Sequence, residues 1–595
     1  MEKASIRSLT GQLSDDLTWL ENHGRTQPDL AMQAGALRLA AASVRNVIGP
    51  FLEGQGVEPL HLAVVGGAGA GKSTITNFLS GALLAEANPQ AGFTRHPIAY
   101  ASSNGPTNWS SHAGFLGPLR RLTTPTPSNL DEDVYQVRRV PVSAEKLSLL
   151  NQIIVWDCPD MTTWAATNYA PRLLEVAGLA DIIVYVASDE RYNDEVPTQF
   201  LRLLLQAGKT VIIVIMKMRP DDAPAFLDHF KKSVLANMPG KPVACLAVPQ
   251  LTLEQLTDPV KKAGPYRIPL INQVAVFAGS AQATRRRSVI MSMNYLKTHQ
   301  AELLGVARSD LVVLEDWKSL VTRGENDFLR RYRREFLEVE RFPRFDEALV
   351  RLLDLLEIPL PGFKAVGAVL RAPFTLFRGL FNKALQRPDM PALPERPVLE
   401  GALAGWTDYL RKEASRRAPT HPVWAHIDKG FSHNLTEQLR RQFDQSIKTF
   451  QQGMNDEVDR TARAIYEDLK KHPVGLNTLR GGKLAVELGA ITLSFVTLGV
   501  GHLVWWPLAA IIAAPITQAL VELLGKQYVE SQRERARVRQ ETMVTQLLAN
   551  PLAERFISYP TSGGSNFERL QQILQRLPET IKQLDVLVQE KLKER

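Results

Sequence analysis

Residues 66 to 73 contain four glycines and end in a lysine and a serine, in the order Gly66-Gly67-Ala68-Gly69-Ala70-Gly71-Lys72-Ser73. Glycines let consecutive backbone N–H groups turn toward an anion, so this loop suits the phosphates of a nucleotide. We expect Lys72 to reach the β- and γ-phosphates of a nucleoside triphosphate and Ser73 to hold Mg²⁺. Thr74 opens the next helix and completes the expected nucleotide-binding loop.

The elements around this loop are those that a phosphate-binding loop requires. The apolar run 62–65 precedes it and predicts a strand, and residues 74–79 predict a helix. A strand, a glycine-rich loop ending in Lys-Ser and a helix form the P-loop.

Further residues suit the metal ion and the reaction. Asp157 directly follows the apolar run 153–156, where a carboxylate can orient a Mg²⁺-bound water. Thr94 lies between the P-loop and Asp157, in a position that suits a switch threonine closing on Mg²⁺ and the γ-phosphate. We predict that Lys72, Thr94 and Asp157 are catalytic, and that Ser73, Thr94 and Asp157 bind the metal. Arg95 and His96 are interpreted as ordinary loop residues.

The pattern of apolar residues divides the rest of the chain into domains. Five apolar runs, at 62–65, 153–156, 182–187, 211–216 and 243–248, alternate with helical stretches. This alternation predicts an α/β domain with a mainly parallel sheet and helices on both faces. An extended all-α part follows Arg285-Arg286-Arg287. The predicted domains are N-terminal helices packing on the stalk (1–56), a nucleotide domain (57–280), a helical stalk (281–483), a hydrophobic helical hairpin (484–525) and C-terminal helices (526–595).

Composition and net charge limit the class of protein, the compartment and the partners that can be expected. The 595 residues are 45% hydrophobic, which is typical of globular proteins, and the two cysteines, Cys158 and Cys245, offer no disulfide framework. The first residues carry no apolar segment typical of a signal peptide, so we expect a cytoplasmic protein. A net charge of +8 suits either nucleic acid or an anionic membrane surface.

Two segments favour the membrane. Residues 361–388 contain Lys364, Arg371 and Arg378 at steps of seven among aromatic and aliphatic residues, as in an amphipathic helix on anionic lipid. An ordinary amphipathic helix with a solvated basic face is an equal alternative.

The second segment, 484–525, has no formal charge between Glu487 and Glu522. Gly499, Gly501 and Pro507 interrupt it, and basic residues flank both ends, which favours a hairpin that enters and leaves on the cytoplasmic side. A hairpin buried in a helical bundle is the alternative.

The order of P-loop, threonine, Asp-x-Pro and a distant apolar hairpin resembles the dynamin-like GTPases, most closely the bacterial membrane-associated ones. The resemblance in motifs covers residues 60–250. It implies a GTPase domain on a helical stalk, GTP and Mg²⁺ as ligands, pairing of two GTPase domains in a homodimer, and membrane binding or remodelling.

Two positions depart from the family pattern. Asp160 stands where Asp-x-x-Gly has glycine, and its carboxylate would repel phosphate unless it points away or contacts metal. Met216-Lys217-Met218-Arg219 replaces the guanine-reading Asn-Lys-x-Asp, and Arg219 has only donors where a carboxylate is expected. Lys217 can still lie along the base, and Asp160 and Lys217 are counted among the nucleotide-binding residues.

The leading interpretation is a membrane-associated, dynamin-like nucleoside triphosphatase that hydrolyses GTP and tethers or remodels a bilayer. An RNA- or ribosome-associated GTPase is an alternative that the basic charge permits, although no compact RNA-binding motif follows residue 285 and nucleic acid is not the expected partner. A nucleotide-binding scaffold without hydrolysis is the third, prompted by Asp160 and by the altered base motif.

Overall fold

The computed structural model describes most of the chain. The described residues are 3–25, 31–54, 59–85, 95–110, 114–124, 132–141, 149–161, 166–189, 194–339, 341–358, 394–433, 435–481, 486–488, 505–562 and 566–594. Two compact units are present: unit 1 comprises residues 1–309 and 565–595, and unit 2 comprises residues 310–564.

A sheet of eight strands forms the centre of unit 1. The strands are β1 (Leu60–Gly66), β2 (Ile98–Ser102), β3 (Arg120–Arg121), β4 (Val134–Val140), β5 (Ile153–Asp157), β6 (Ile182–Ser188), β7 (Thr210–Met216) and β8 (Ala244–Val248). Their order across the sheet is β3-β4-β2-β5-β1-β6-β7-β8. All neighbours are parallel except β2 and β5, which pair antiparallel.

Helices make up most of the remaining described chain. In chain order they are α1 (Lys3–Arg25), α2 (Ala31–Ser43), α3 (Gly49–Leu52), α4 (Lys72–Ser80), α5 (Ala166–Leu179), α6 (Glu195–Gln206), α7 (Ala223–Ser233), α8 (Leu253–Thr257), α9 (Gly264–Ala278), α10 (Ala281–Thr298), α11 (Gln300–Leu303), α12 (Gly305–Tyr332), α13 (Pro343–Leu356), α14 (Arg396–Arg417), α15 (Pro422–His433), α16 (Leu435–Lys470), α17 (Pro473–Gly481), α18 (Trp505–Leu524), α19 (Lys526–Val544), α20 (Asn550–Ser558) and α21 (Asn566–Lys593). Single π-helical turns stand at Val44–Ile48, Arg333–Leu337 and Thr545–Ala549.

The sheet is covered on both faces. Alternate residues of β1 point to opposite sides: Leu62 and Val64 belong to a core shared with α4 and α9, while Ala63 and Val65 belong to a core shared with α2, α5 and α6. All seven residues of β1 are buried, as is typical of a parallel strand between two helical layers.

The two ends of the chain meet in unit 1. Helix α1 packs against α2 and α21, and α2 packs against α5. Arg576 of α21 forms a bidentate ion pair with the buried Asp16 of α1, at 2.6 and 3.0 Å. The C-terminal helix therefore completes the unit that contains the sheet.

Unit 2 is helical throughout its described residues. Helix α13 packs against α16 and α18. Arg344, at the start of α13, pairs with the fully buried Glu395 through Nε at 2.5 Å and Nη2 at 2.9 Å. Gln540 of α19 donates to the same carboxylate at 3.0 Å and to the hydroxyl of Tyr332 at 2.6 Å.

The predicted fold class is confirmed: a mainly parallel α/β domain is accompanied by a large helical part. The basic segment 361–388 lies outside the described residues. Of the predicted hairpin, only residues 486–488 and α18 with Gly525 are described. None of the described helices combines the length and apolar character needed to cross a bilayer. The predicted domain boundaries stay a prediction.

Candidate nucleotide and magnesium site

The P-loop lies between β1 and α4, where the sequence places it. Strand β1 ends at Gly66, and α4 begins at Lys72. Between them the N–H of Ala70 donates to the carbonyl of Gly67 at 3.3 Å. Gly71 precedes the helix with φ at 104°, a left-handed conformation that only glycine adopts readily. Ala68 and Ala70 are buried, whereas Gly69 is exposed.

Lys72 is buried beside the P-loop. Its ammonium group donates to the carbonyl of Gly67 at 3.0 Å and forms an ion pair with the carboxylate of Asp160. Both side chains are less than a tenth exposed. Asp160 therefore points into the P-loop and not away from it.

Asp157 and Ser73 lie side by side. Asp157 ends β5, which pairs with β1 so that Asp157 lies opposite Val64. The Ser73 hydroxyl donates to Asp157 Oδ2 at 3.4 Å. Asp157 Oδ1 is buried and accepts no well-formed hydrogen bond from the described residues. Burial raises the pKa of the Asp157 carboxyl to about 6, although the nearby Lys72 ammonium opposes the rise.

These two side chains fit a magnesium ion. Mg²⁺ prefers oxygen ligands, and Ser73 and Asp157 present a hydroxyl and a carboxylate at one point. One buried oxygen of this carboxylate accepts no well-formed hydrogen bond within the described part of the chain. The third predicted ligand, Thr94, lies outside the described residues.

The expected base-reading segment follows β7. Lys217 is exposed with φ at 75°, and its N–H donates to the carbonyl of Val248 at 3.1 Å. The carbonyl of Met218 accepts from the N–H of Gln250 at 2.9 Å. These bonds tie the segment to the last residue of β8 and to the chain that follows it. Lys217 and Arg219 are exposed and the intervening Met218 is buried.

Thr74 lines a cavity beside the P-loop helix. The cavity has a volume of about 240 Å³, and its walls include Asn77 and Phe78 of α4 and Leu256 of α8. Asn77 is fully engaged with the chain that follows the helix, since its amide bonds Leu84 and Ala85 at 2.8 to 2.9 Å.

Two features were not predicted from the sequence. One is the ion pair between Lys72 and Asp160, which the opposite charges of the two residues could have suggested. The other is the position of Met216, whose sulfur lies against Gly71. No sequence signal links residues 145 positions apart, so the second contact depends on knowing that β7 lies two strands from β1.

Comparison with known proteins supports the assignment of the domain. Residues 61–217 match a protein family described as 50S ribosome-binding GTPase. No curated protein matches the chain.

Several solved structures match the chain at low similarity. Two come from an oligomerised bacterial dynamin pair, described as providing a mechanism for the long-range sensing and tethering of membranes. They have 11% identity each, TM-scores of 0.31 and 0.29, and coverage of 90% and 91% of this chain and 90% of theirs. Another, LeoA, a bacterial dynamin GTPase from ETEC, has 12% identity and a TM-score of 0.24, with 100% and 99% coverage.

The family match spans the P-loop, Asp157 and the end of β7, and the sheet has the mainly parallel order that the motifs predict. The chain therefore contains a P-loop GTPase domain and is a nucleoside triphosphatase of the GTPase class.

Proposed function

We propose that this protein is a dynamin-like GTPase that binds and hydrolyses GTP with Mg²⁺ and acts on an anionic membrane surface. The observation that carries the proposal is the convergence of Lys72, Ser73 and Asp157 at the carboxyl ends of β1 and β5. Phosphoryl transfer depends mainly on positioning and charge stabilisation, and these residues supply both.

Each residue has a separate role in this proposal. The backbone of residues 66–71 and the Lys72 ammonium bind the phosphates, and Ser73 and Asp157 hold Mg²⁺, directly or through its water shell. When bound, Mg²⁺ neutralises charge that develops on the phosphate oxygens. Thr94 is proposed as the third ligand on the basis of its sequence position. Lys217 is proposed to lie along the guanine base.

A partner GTPase domain is proposed to complete the site. No glutamine follows Asp157 in the sequence at the position where some GTPases orient water. A homodimer through the GTPase domain would supply the missing stabilisation. If so, the hydrolysis rate per molecule rises with protein concentration; a rate independent of concentration would contradict the dimer.

Membrane binding rests on charge and apolar pattern. Helix α18 carries no charged residue before Glu522. One face, formed by Ala509, Ala513, Ile516 and Leu520, is buried within unit 2, where α18 packs against α13. The opposite face exposes Ile511 and Ala514. We propose that this helix is one arm of the 484–525 hairpin and that the hairpin, with the basic segment 361–388, attaches the protein to anionic lipid.

A ribosome-associated GTPase is the second candidate. The matching family is described by 50S ribosome binding, and the net charge of +8 suits RNA. The apolar 484–525 segment has no purpose on RNA, so we place this candidate second.

One experiment separates the two candidates. Purified protein is floated with vesicles of phosphatidylglycerol and phosphatidylcholine, with vesicles of phosphatidylcholine alone, and sedimented with 50S subunits, each with GTP and Mg²⁺. We expect flotation only with the anionic vesicles. Protein that stays at the bottom with both vesicles and sediments with 50S subunits would favour the ribosomal role.

A further inference from the structure

Asp160 is paired with the Lys72 ammonium, the group that is expected to bind the phosphates of a nucleotide. The Lys72 ammonium is the only lysine nitrogen of the P-loop sequence, and the carboxylate of Asp160 is bonded to it. Lys72 and Asp160 are both buried, so water screens this pair weakly. A bound triphosphate and Asp160 therefore compete for one cation.

The chain holds Asp160 in this position. Cys158, two residues earlier, is buried, and its N–H donates to the carbonyl of Val64 at 3.2 Å. Pro159 then restricts the backbone before Asp160. The carboxylate is thus carried on a short segment anchored to β1, the same strand that leads into the P-loop.

The local charge is also unfavourable for an incoming phosphate. Two carboxylates, Asp157 and Asp160, face the single ammonium of Lys72. A Mg²⁺ ion at Asp157 would compensate for one of these negative charges. The charge of Asp160 would still lie beside Lys72, where the phosphates are proposed to bind. Like charges that lie close together in a buried site repel strongly.

We propose that Asp160 is an internal substitute for phosphate, which pairs with Lys72 in the nucleotide-free protein and must be displaced when nucleotide binds. This inference rests on the proposed function, because it concerns the affinity of the same site. Asp160 stabilises Lys72 when no nucleotide is bound and weakens nucleotide binding. The protein therefore exchanges nucleotide readily, in contrast to a GTPase with glycine at this position, where no side chain competes.

The test measures binding of the fluorescent analogue N-methylanthraniloyl-GTP to the full chain. Asp160→Asn removes the charge and keeps the size of the side chain. Since a repelling charge near the phosphates is lost, we expect the dissociation constant to fall about tenfold or more. Asp228→Asn removes the same charge from an exposed position of α7 in the same unit and is expected to leave the constant unchanged.

A second readout requires no ligand. In Asp160→Asn the buried Lys72 loses its carboxylate partner, so the melting temperature of the nucleotide-free protein should fall, whereas the stabilisation by added GTP should increase. Asp160→Gly, which restores Asp-x-x-Gly, is measured in parallel in case the asparagine variant does not fold.

The outcomes are distinct. If wild type binds the GTP analogue and the folded Asp160 variants bind it equally or more weakly, the inference is wrong and the proposed function stands. If neither wild type nor variants bind any purine nucleotide, the proposed function fails and this inference fails with it.

Discussion

The sulfur of Met216 packs against Gly71 of the P-loop so closely that a methyl group added to that glycine would lie 2.5 Å from it. Met216 ends β7 and stands where the guanine-reading motif of GTPases has asparagine. In this chain the apolar side chain of Met216 therefore packs against the P-loop, which precedes α4. The contact with Gly71 helps to bury the long side chain of Met216, which is 4% exposed.

We predict that Gly71→Ala abolishes nucleotide binding. The alanine would have to adopt φ near 104° and would also collide with Met216. Gly69→Ala is the matched control: φ is also positive, at 68°, but an added Cβ meets no atom within 4 Å. We expect a modest loss of affinity for Gly69→Ala and loss of detectable binding for Gly71→Ala in nucleotide titrations. Equal effects in the two variants would contradict the larger steric penalty expected at Gly71.

Replacement of Asp157 should change the magnesium requirement. Asp157→Asn keeps the shape of the side chain but removes the negative charge that suits a divalent cation. We expect the Mg²⁺ concentration for half-maximal hydrolysis to rise at least about tenfold, as for loss of other metal-binding groups. The measurement is hydrolysis rate against Mg²⁺ at saturating GTP. An unchanged Mg²⁺ dependence would exclude Asp157 from the metal site.

Breaking a buried ion network should destabilise unit 1. Glu175 of α5 is buried and accepts from Arg45 at 2.6 Å and from Arg38 at 3.5 Å, while Arg38 also pairs with Glu21 of α1 at 3.0 Å. Glu175→Gln leaves two arginines with one carboxylate. We expect a loss of about 3–5 kcal/mol in the free energy of unfolding, as for other broken buried pairs.

The control for this variant is the exposed pair of Asp228 and Lys232, in which Asp228→Asn should have almost no effect. Urea denaturation of both variants measures the difference. A Glu175→Gln protein as stable as Asp228→Asn would mean that the buried network contributes little.

Lys209 should make stability depend on alkaline pH. Its ammonium donates to the carbonyls of Gly178 and Ala180, and burial lowers its pKa from the usual 10.5 to about 8. Between these two values the unfolded chain binds more protons than the folded one, so this group favours folding increasingly as pH rises.

Lys209→Met lacks this contribution. We therefore expect wild type to gain free energy of unfolding relative to Lys209→Met between pH 7.5 and pH 9.5, because that range crosses the folded pKa. Comparing the two proteins removes the effect of groups that titrate in both. A difference that stays constant with pH would contradict the lowered pKa of Lys209.

The sequence predicted the parts of the domain whose signals are local. The strands β1, β5, β6, β7 and β8 are continuous apolar runs, and the P-loop is a fixed motif. Strands β2, β3 and β4 were not predicted. Strand β3 consists of two arginines, and β4 contains Arg138 and Arg139 in its partly exposed second half. Their pairing comes from the neighbouring strands and not from their own composition.

For the candidate site too, the sequence predicted the residues of local motifs but not the contacts between distant residues. Lys72, Ser73 and Asp157 were predicted from type and spacing, and the structure brings them together. The contact of Met216 with Gly71 and the pairing of Asp160 with Lys72 depend on tertiary arrangement, which spacing along the chain does not contain.

The most direct test of the central claim is calorimetric titration of the full chain with GTP and with ATP in the presence of Mg²⁺, for wild type and for Lys72→Ala. Lys72 is assigned to the phosphates, so we expect saturable binding of GTP to wild type, weaker binding of ATP, and loss of GTP binding in Lys72→Ala. Wild-type protein that binds neither nucleotide, or a Lys72→Ala variant that binds GTP as tightly as wild type, would contradict the account.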